Sequence, residues 1–173
     1  MRVAPLLRVA CSAALLALGA ALAGPATGHE PHQGGTPLDL ELAGLAGHFV
    51  RLADLPARVT VINFWRSDCP PCLRELPLLS GFARMHAEVN VVAVAVQSRT
   101  ETERTLPIDP APLIVLVGSR EPEGTMRRLG ARSTAIPYTA VLHPDRSLCA
   151  SRTGEVSLAW LEEAARVCDV AAR

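Results

Sequence analysis

At 173 residues, with 49% hydrophobic and 20% charged side chains, the chain has the length and composition of one globular domain around one core, so disorder is excluded as its default state. Lys+Arg 17 against Asp+Glu 17 gives a formal net charge of zero with no long run of either sign, and aromatic residues make up 3%. Without a basic stripe to neutralise phosphates or a set of rings to stack on bases, nucleic acid is excluded as a partner.

The first residues read as an address. Arg2 and Arg8 form a positive start, residues 9–22 are apolar and rich in Ala and Leu, and Ala21-Leu22-Ala23 supplies a small-x-small cleavage pattern before Gly24-Pro25. Residues 1–23 are therefore predicted to be a signal peptide and the protein to be exported, with a periplasmic or other extracytoplasmic location. The second reading is retention of this segment as a membrane anchor, although the apolar run is shorter than the ~20 residues of a spanning helix. Cys11 precedes most of the hydrophobic stretch, whereas a lipoprotein signal places its cysteine after it. Residues 24–36, with Pro25, Pro31, Gly34 and Gly35, read as a flexible leader, and residues 37–173 as the domain. His29 and His32 fall in that leader without further ligands beside them and read as solvated linker.

Strand and helix patterns then alternate. Residues 59–65 form an apolar, β-branched strand, and residues 71 to about 86 a helix with a kink predicted at Pro77. Residues 89–96 are almost continuously apolar, as a strand buried on both faces of a parallel sheet reads. Residues 113–117 give another short strand, and 123–129 a short helix ended by Gly130. Strands at 138–142 and 148–152 bracket Pro144-Asp145-Arg146 as a hairpin, and an amphipathic helix at 157–170 carries Glu162, Glu163 and Arg166 on its polar face. β-α-β followed by a hairpin and a helix predicts an α/β sandwich with a mixed sheet.

The chemistry sits between the first strand and the helix after it, at Cys69-Pro70-Pro71-Cys72. Two thiols at this spacing can close a disulfide within one helical turn, and the first lies where unpaired amides and the helix dipole favour a thiolate. Pro70 and Pro71 suit the first helical positions, which need no N–H, and leave the Cys72 amide as the nearest donor to Cys69. Export removes Cys11 and leaves four cysteines, Cys69, Cys72, Cys149 and Cys168, where disulfides persist. Cys149 and Cys168 either form a second bridge between the last strand and last helix or serve as separate buried small hydrophobes. A c-type haem site would need His after Cys72, and Leu73 excludes it.

These residues resemble a family. The run 52–65 ending in Val61-Ile62-Asn63-Phe64-Trp65, the Cys69-Pro70-Pro71-Cys72 motif, Glu75 and Pro77, and Ile136-Pro137 before a strand are similar to the thioredoxin-like superfamily, and within it to the exported TlpA/ResA-type (DsbE/CcmG-like) thiol-disulfide oxidoreductases. The resemblance implies a three-layer sandwich over roughly 36–170, a mixed central sheet flanked by helices. It implies Cys69 as the attacking thiol, Cys72 as the resolving one, and Glu75 as an acid beneath the pair that moves the Cys72 proton; the competing reading of Glu75 is an exposed surface carboxylate. Asn63 stands where thioredoxins proper carry an acid. The implied substrate face comprises Trp65, Pro70, Pro71, Ile136 and a cis-Pro137, whose turn frees the Ile136 backbone to pair with an incoming peptide.

The resemblance further implies protein substrates bearing disulfides or thiols, a membrane thiol donor or acceptor, no cofactor or metal, and a reductant's role such as cytochrome c maturation. Several positions depart from the family's pattern: Asp68 replaces a common Trp, Ala135 a common Gly, and Tyr138 a common Thr. Asp68 opposes thiolate formation, with Arg66 and Arg74 near enough in sequence to offset it. The rival functions are a copper chaperone using the same cysteines with His86 or His143, a peroxidase with a single activated cysteine, and a non-catalytic binding module.

Overall fold

The protein is described here by a computed structural model covering residues 37–106, 109, 111–118 and 122–170; the signal-peptide and leader readings fall on residues 1–36, outside that range. In chain order the elements are β1 (Glu41–Gly44), β2 (Phe49–Arg51), a 3-10 turn (Leu52–Asp54), β3 (Thr60–Trp65), α1 (Pro70–Met85), β4 (Asn90–Ala95), α2 (Arg99–Thr105), β5 (Ile114–Val117), α3 (Glu123–Arg128), β6 (Tyr138–Leu142), β7 (Leu148–Thr153) and α4 (Leu158–Val170). One sheet runs β2-β1-β5-β4-β3-β6-β7. β3 pairs parallel with β4 from Thr60↔Asn90 to Trp65↔Ala95, and β4 pairs parallel with β5. The outer pairs β1/β2, β1/β5, β3/β6 and β6/β7 are antiparallel. The mixed sheet expected from the alternation is present, and every residue of its central strands β3 and β4 is buried.

Successive side chains on a strand point to opposite faces, and the sheet divides its core accordingly. Val61, Trp65, Val91, Ala93, Ala95 and Val141 pack with Leu76, Leu79 and Phe82 of α1 and Leu161 and Ala164 of α4. Ile62, Phe64, Val92, Val94 and Leu116 pack on the other side with Met126 of α3, Leu129, Leu38 and Leu40. The alternation puts Asn63 and Thr139, paired across β3 and β6, on the α1 side. Two polar residues are thereby aimed from the sheet into the layer that carries the thiols.

α1 runs unbroken through Pro77, which is exposed, and α3 ends at Gly130 with φ +87, a left-handed position that glycine fills without strain. The hairpin β1/β2 and the helix α2 are additions to the predicted elements. α2 carries a capping box: Ser98 Oγ accepts from the Glu101 amide at 3.3 Å and Glu101 Oε2 accepts from the Ser98 amide at 3.0 Å. Replacing Ser98 by Ala is expected to cost about 1 kcal/mol, read as a lower urea midpoint at unchanged m-value.

Candidate active site

β3 ends at Trp65, and after three intervening residues Cys69 occupies the N-cap of α1. Because Pro70 and Pro71 carry no N–H, the first amide able to reach the cap is that of Cys72, which donates to Cys69 Sγ at 3.3 Å. The two sulfurs are bonded at 2.08 Å. Cys69 is 9% exposed and Cys72 0%, so an incoming protein can reach only the first sulfur. The Ile136–Pro137 peptide is cis, and the Ile136 carbonyl oxygen lies 3.9 Å from Cys69 Sγ. Pro70 is exposed, Pro71 and Ile136 are half-buried, and Pro137 is buried behind them.

The charges beside Cys69 are paired locally. Arg66 Nη2 donates to Asp68 Oδ2 at 2.6 Å, and Arg74 makes a two-pronged contact with Glu155 at 2.9 and 3.1 Å. Of the two cations that the sequence offered against Asp68, Arg66 thus pairs with it, while Arg74 is engaged by Glu155. The helix terminus and the Cys72 amide are left as the principal features favouring a thiolate at Cys69.

Glu75, one turn beyond Cys72, is 3% exposed, which decides against its reading as a surface carboxylate. Its Oε2 accepts from Asn63 Nδ2 at 2.8 Å and its Oε1 from the Val156 amide at 2.6 Å; Asn63 Nδ2 also donates to Thr139 Oγ1 at 2.9 Å. Burial pushes the Glu75 carboxyl above its ordinary range, while the Val156 and Asn63 donors pull it down. Glu155 adds to the rise and Arg152 opposes it. A buried carboxyl with a raised midpoint and two donors can both take up and release a proton, and Glu75 sits one helical turn from Cys72.

Trp65 requires a correction. It is 0% exposed and packs in the core with Cys69, Cys72 and Leu76, so it offers no surface to a substrate. A strand residue whose neighbours are buried on both faces has no route to solvent, and its place is beneath the disulfide. Among the described residues, Trp65 Nε1 and Asn63 Oδ1 are buried side-chain atoms without a hydrogen-bond partner.

Two features escaped the sequence reading. Gln97, just past the end of β4, accepts from the Ser67 amide at 2.8 Å and so holds the loop leading to Cys69. Val156 binds Glu75 through its backbone, which no side-chain pattern reveals. A cleft of about 230 Å³ lined by Arg66, Asp68 and Gln97 and another of about 160 Å³ lined by Arg66, Thr134 and Ile136 flank the exposed edge of the pair. A larger groove of about 830 Å³ lies at Arg58, His86 and Glu162.

The histidines proposed for a copper site lie elsewhere. His86 caps the far end of α1, about 24 Å of helix from Cys69, and contacts Phe82 and Glu88. His143 follows the far end of β6, its Nδ1 2.7 Å from the Cys168 carbonyl oxygen. Among the described residues no three His, Cys, Asp or Glu side chains converge as a metal site. Cys149 and Cys168 are joined at 2.03 Å, linking β7 to α4, and both are buried.

Comparison with known proteins agrees with this geometry. The chain is 35% identical over 63 residues to the thiol-disulfide oxidoreductase ResA of Geobacillus kaustophilus, covering 36% of each protein. It is 31% identical over 67 residues to the thioredoxin-like protein YneN of Bacillus subtilis, covering 38% of this chain and 39% of that one. The chain thus spans little more than a third of the length of the curated relatives it matches. Among solved structures, the exposed lipoprotein thioredoxin Etrx1 of Streptococcus pneumoniae superposes with a TM-score of 0.64 at 21% identity over 75% of this chain and 99% of that one. A secreted Mycobacterium tuberculosis disulfide oxidoreductase homologous to E. coli DsbE gives 0.60 at 19% identity over 74% and 95%. These likenesses establish the fold as thioredoxin-like. The sequence profile of the AhpC/TSA family matches residues 35–150, more than half of the chain, and the chain belongs to that family.

Proposed function

We propose that the protein is an exported thiol-disulfide oxidoreductase that passes electrons to disulfide-bearing proteins through Cys69 and Cys72, as a reductant in cytochrome c maturation or a similar assembly process. The observation that carries this reading is a sulfur pair at a helix mouth, one member reachable and one sealed, with a buried carboxylate one turn below. In the reduced state the Cys69 thiolate attacks a partner's S–S bond; a mixed disulfide forms and one partner sulfur leaves as a thiolate. Cys72 then gives up its proton, with Glu75 as acceptor, and attacks Cys69 Sγ. The Cys69–Cys72 bond forms, the partner's second thiolate leaves, and two electrons have moved to the partner.

A membrane thiol donor would restore the dithiol. The Ile136 carbonyl beside Cys69 offers a main-chain acceptor to an incoming peptide strand, with Pro70, Pro71 and Pro137 shaping the face around it. Export is supported by the signal pattern at residues 1–23, and no helix among the described residues is long and apolar enough to cross a membrane.

Equilibration with glutathione tests the direction. A reductant is expected to show a potential between about −200 and −300 mV, whereas a value near −120 mV, typical of strong oxidants, overturns that role. Turnover of hydrogen peroxide much faster than turnover of protein disulfides would overturn the exchange reading itself.

A further inference from the structure

The loop at 154–157 between β7 and α4 touches the thiol site at three points. The Gly154 amide donates to the Pro137 carbonyl at 2.8 Å, one residue from the Ile136 oxygen beside Cys69. Glu155 binds Arg74 of α1 with two prongs at 2.9 and 3.1 Å. The Val156 amide donates to Glu75 Oε1 at 2.6 Å, and its side chain is buried in the same core layer as both active-site sulfurs. The elements that enter and leave this loop are bridged by Cys149–Cys168. The segment from 151 to 173 lies outside the matched family profile.

We infer that the loop at 154–157, stapled by the Cys149–Cys168 disulfide, is a positioning element of the thiol site: it holds the Glu75 carboxylate through the Val156 amide and the Pro137 turn through the Gly154 amide. The inference rests on the proposed exchange chemistry for its meaning, but its first test needs no partner. The bridge restricts where the two ends of the loop can go, and so limits the range over which the Val156 N–H can wander from Glu75. Both bridging cysteines are buried, so this disulfide stays closed while Cys69–Cys72 cycles.

The surroundings of Glu75 fix the sign. On α1, Cys72 lies one turn before it, while the neighbouring Arg74 is exposed and engaged by Glu155; from β7 and its loop the charges acting on it are Arg152 and Glu155; from β3 it accepts from the uncharged Asn63, which also donates to Thr139 of β6. Loosening the loop withdraws a donor that favours the ionised carboxyl while leaving the burial that opposes it. The Glu75 midpoint therefore moves up.

The experiment is a carboxyl-detected NMR titration of Glu75 in the full, oxidised chain, for wild type, Cys149→Ala/Cys168→Ala and Arg74→Gln. The first variant removes the staple; the second keeps both disulfides and opens the outer clamp at an exposed position, so a failure of the first to fold leaves the test intact. The midpoint is expected to rise in both, and the pH profile of mixed-disulfide resolution to shift upward with it. Glu163→Gln, which breaks the Arg166 pair on α4 away from the loop, is expected to move neither quantity. An unchanged Glu75 midpoint in both test variants overturns the inference and leaves the bridge as a fold staple only. Full rescue by Arg74→Lys, which keeps the charge and loses the two-pronged contact, would also overturn the clamp's part. Absence of exchange in wild type would count against the proposed function and not against the NMR result.

Discussion

Thiol-disulfide exchange by a Cys69→Ser variant is expected to fall by at least about a thousandfold, because the member of the pair that a partner can reach is lost. Cys72→Ser is expected to behave differently. Its first step survives, since Cys69 still lies at the helix N-terminus and the residue-72 amide that it accepts is a backbone group untouched by the substitution. Its second step fails, since serine oxygen does not displace a sulfur under these conditions. The protein should accumulate as a mixed disulfide with its partners, visible as dithiothreitol-sensitive higher bands on a non-reducing gel and identifiable by mass spectrometry. Equal loss of the first step in both variants would mean that the exposure difference between the two sulfurs does not set their order of use.

The asymmetry of these two cysteines was readable from the sequence for a physical reason. A largely apolar, β-branched strand at 59–65, interrupted only by Thr60 and Asn63 and followed by two prolines at helix positions that need no N–H, leaves little freedom in where Cys69 and Cys72 go. Glu75 was also legible as a candidate, through the family resemblance that puts an acid one helical turn after Cys72, and its burial beside Leu76 is where a carboxylate is out of place unless it has partners. Its partners were not legible. Asn63 meets it through the packing of α1 on β3, and Thr139 accepts from the same Asn63 amide only because β6 pairs with β3 in the register Asn63↔Thr139; register between strands 76 residues apart is a tertiary fact. The Val156 contact is further out of reach, since a backbone amide carries no side-chain signature.

The missed elements have local explanations. Ser98-Arg99-Thr100-Glu101 is a capping box in plain view, yet α2 itself is polar on most of its surface, with only Thr102 buried, so hydrophobic periodicity gave it no weight. β1 and β2 are short strands of four and three residues at one side of the sheet, too brief for alternation to register. The family resemblance places Trp65 on the substrate face. Strand alternation from Val61 already directs it into the α1 layer, and that simpler reading prevails.

Substituting Glu75 by Gln is expected to separate proton transfer from folding. Gln fills the same volume, and its carbonyl can still accept the Val156 N–H. Its amide then faces Asn63 Nδ2, a donor meeting a donor, which a flip of the Asn63 amide relieves by presenting Oδ1, the atom now without a partner among the described residues. The fold should therefore persist while the resolving step loses its proton acceptor, a loss of about 10²–10⁴-fold in the rate at which mixed disulfides resolve. Stability should change in the opposite sense near neutral pH. Burial holds the folded-state carboxyl above its ordinary value of 4.5, so between that value and the raised one the folded chain binds more protons than the unfolded chain. The contribution is fully present below pH 4.5 and is lost as pH rises through the raised value, at about 1.4 kcal/mol for each unit between the two. Glu75→Gln has no such proton to lose. Its stability relative to wild type should rise with pH across that window and level off above it, as measured by urea unfolding at a series of pH values. A constant difference across the series would show that the Glu75 carboxyl titrates alike in the folded and unfolded chains, and the acceptor role assigned to it would lose its electrostatic basis.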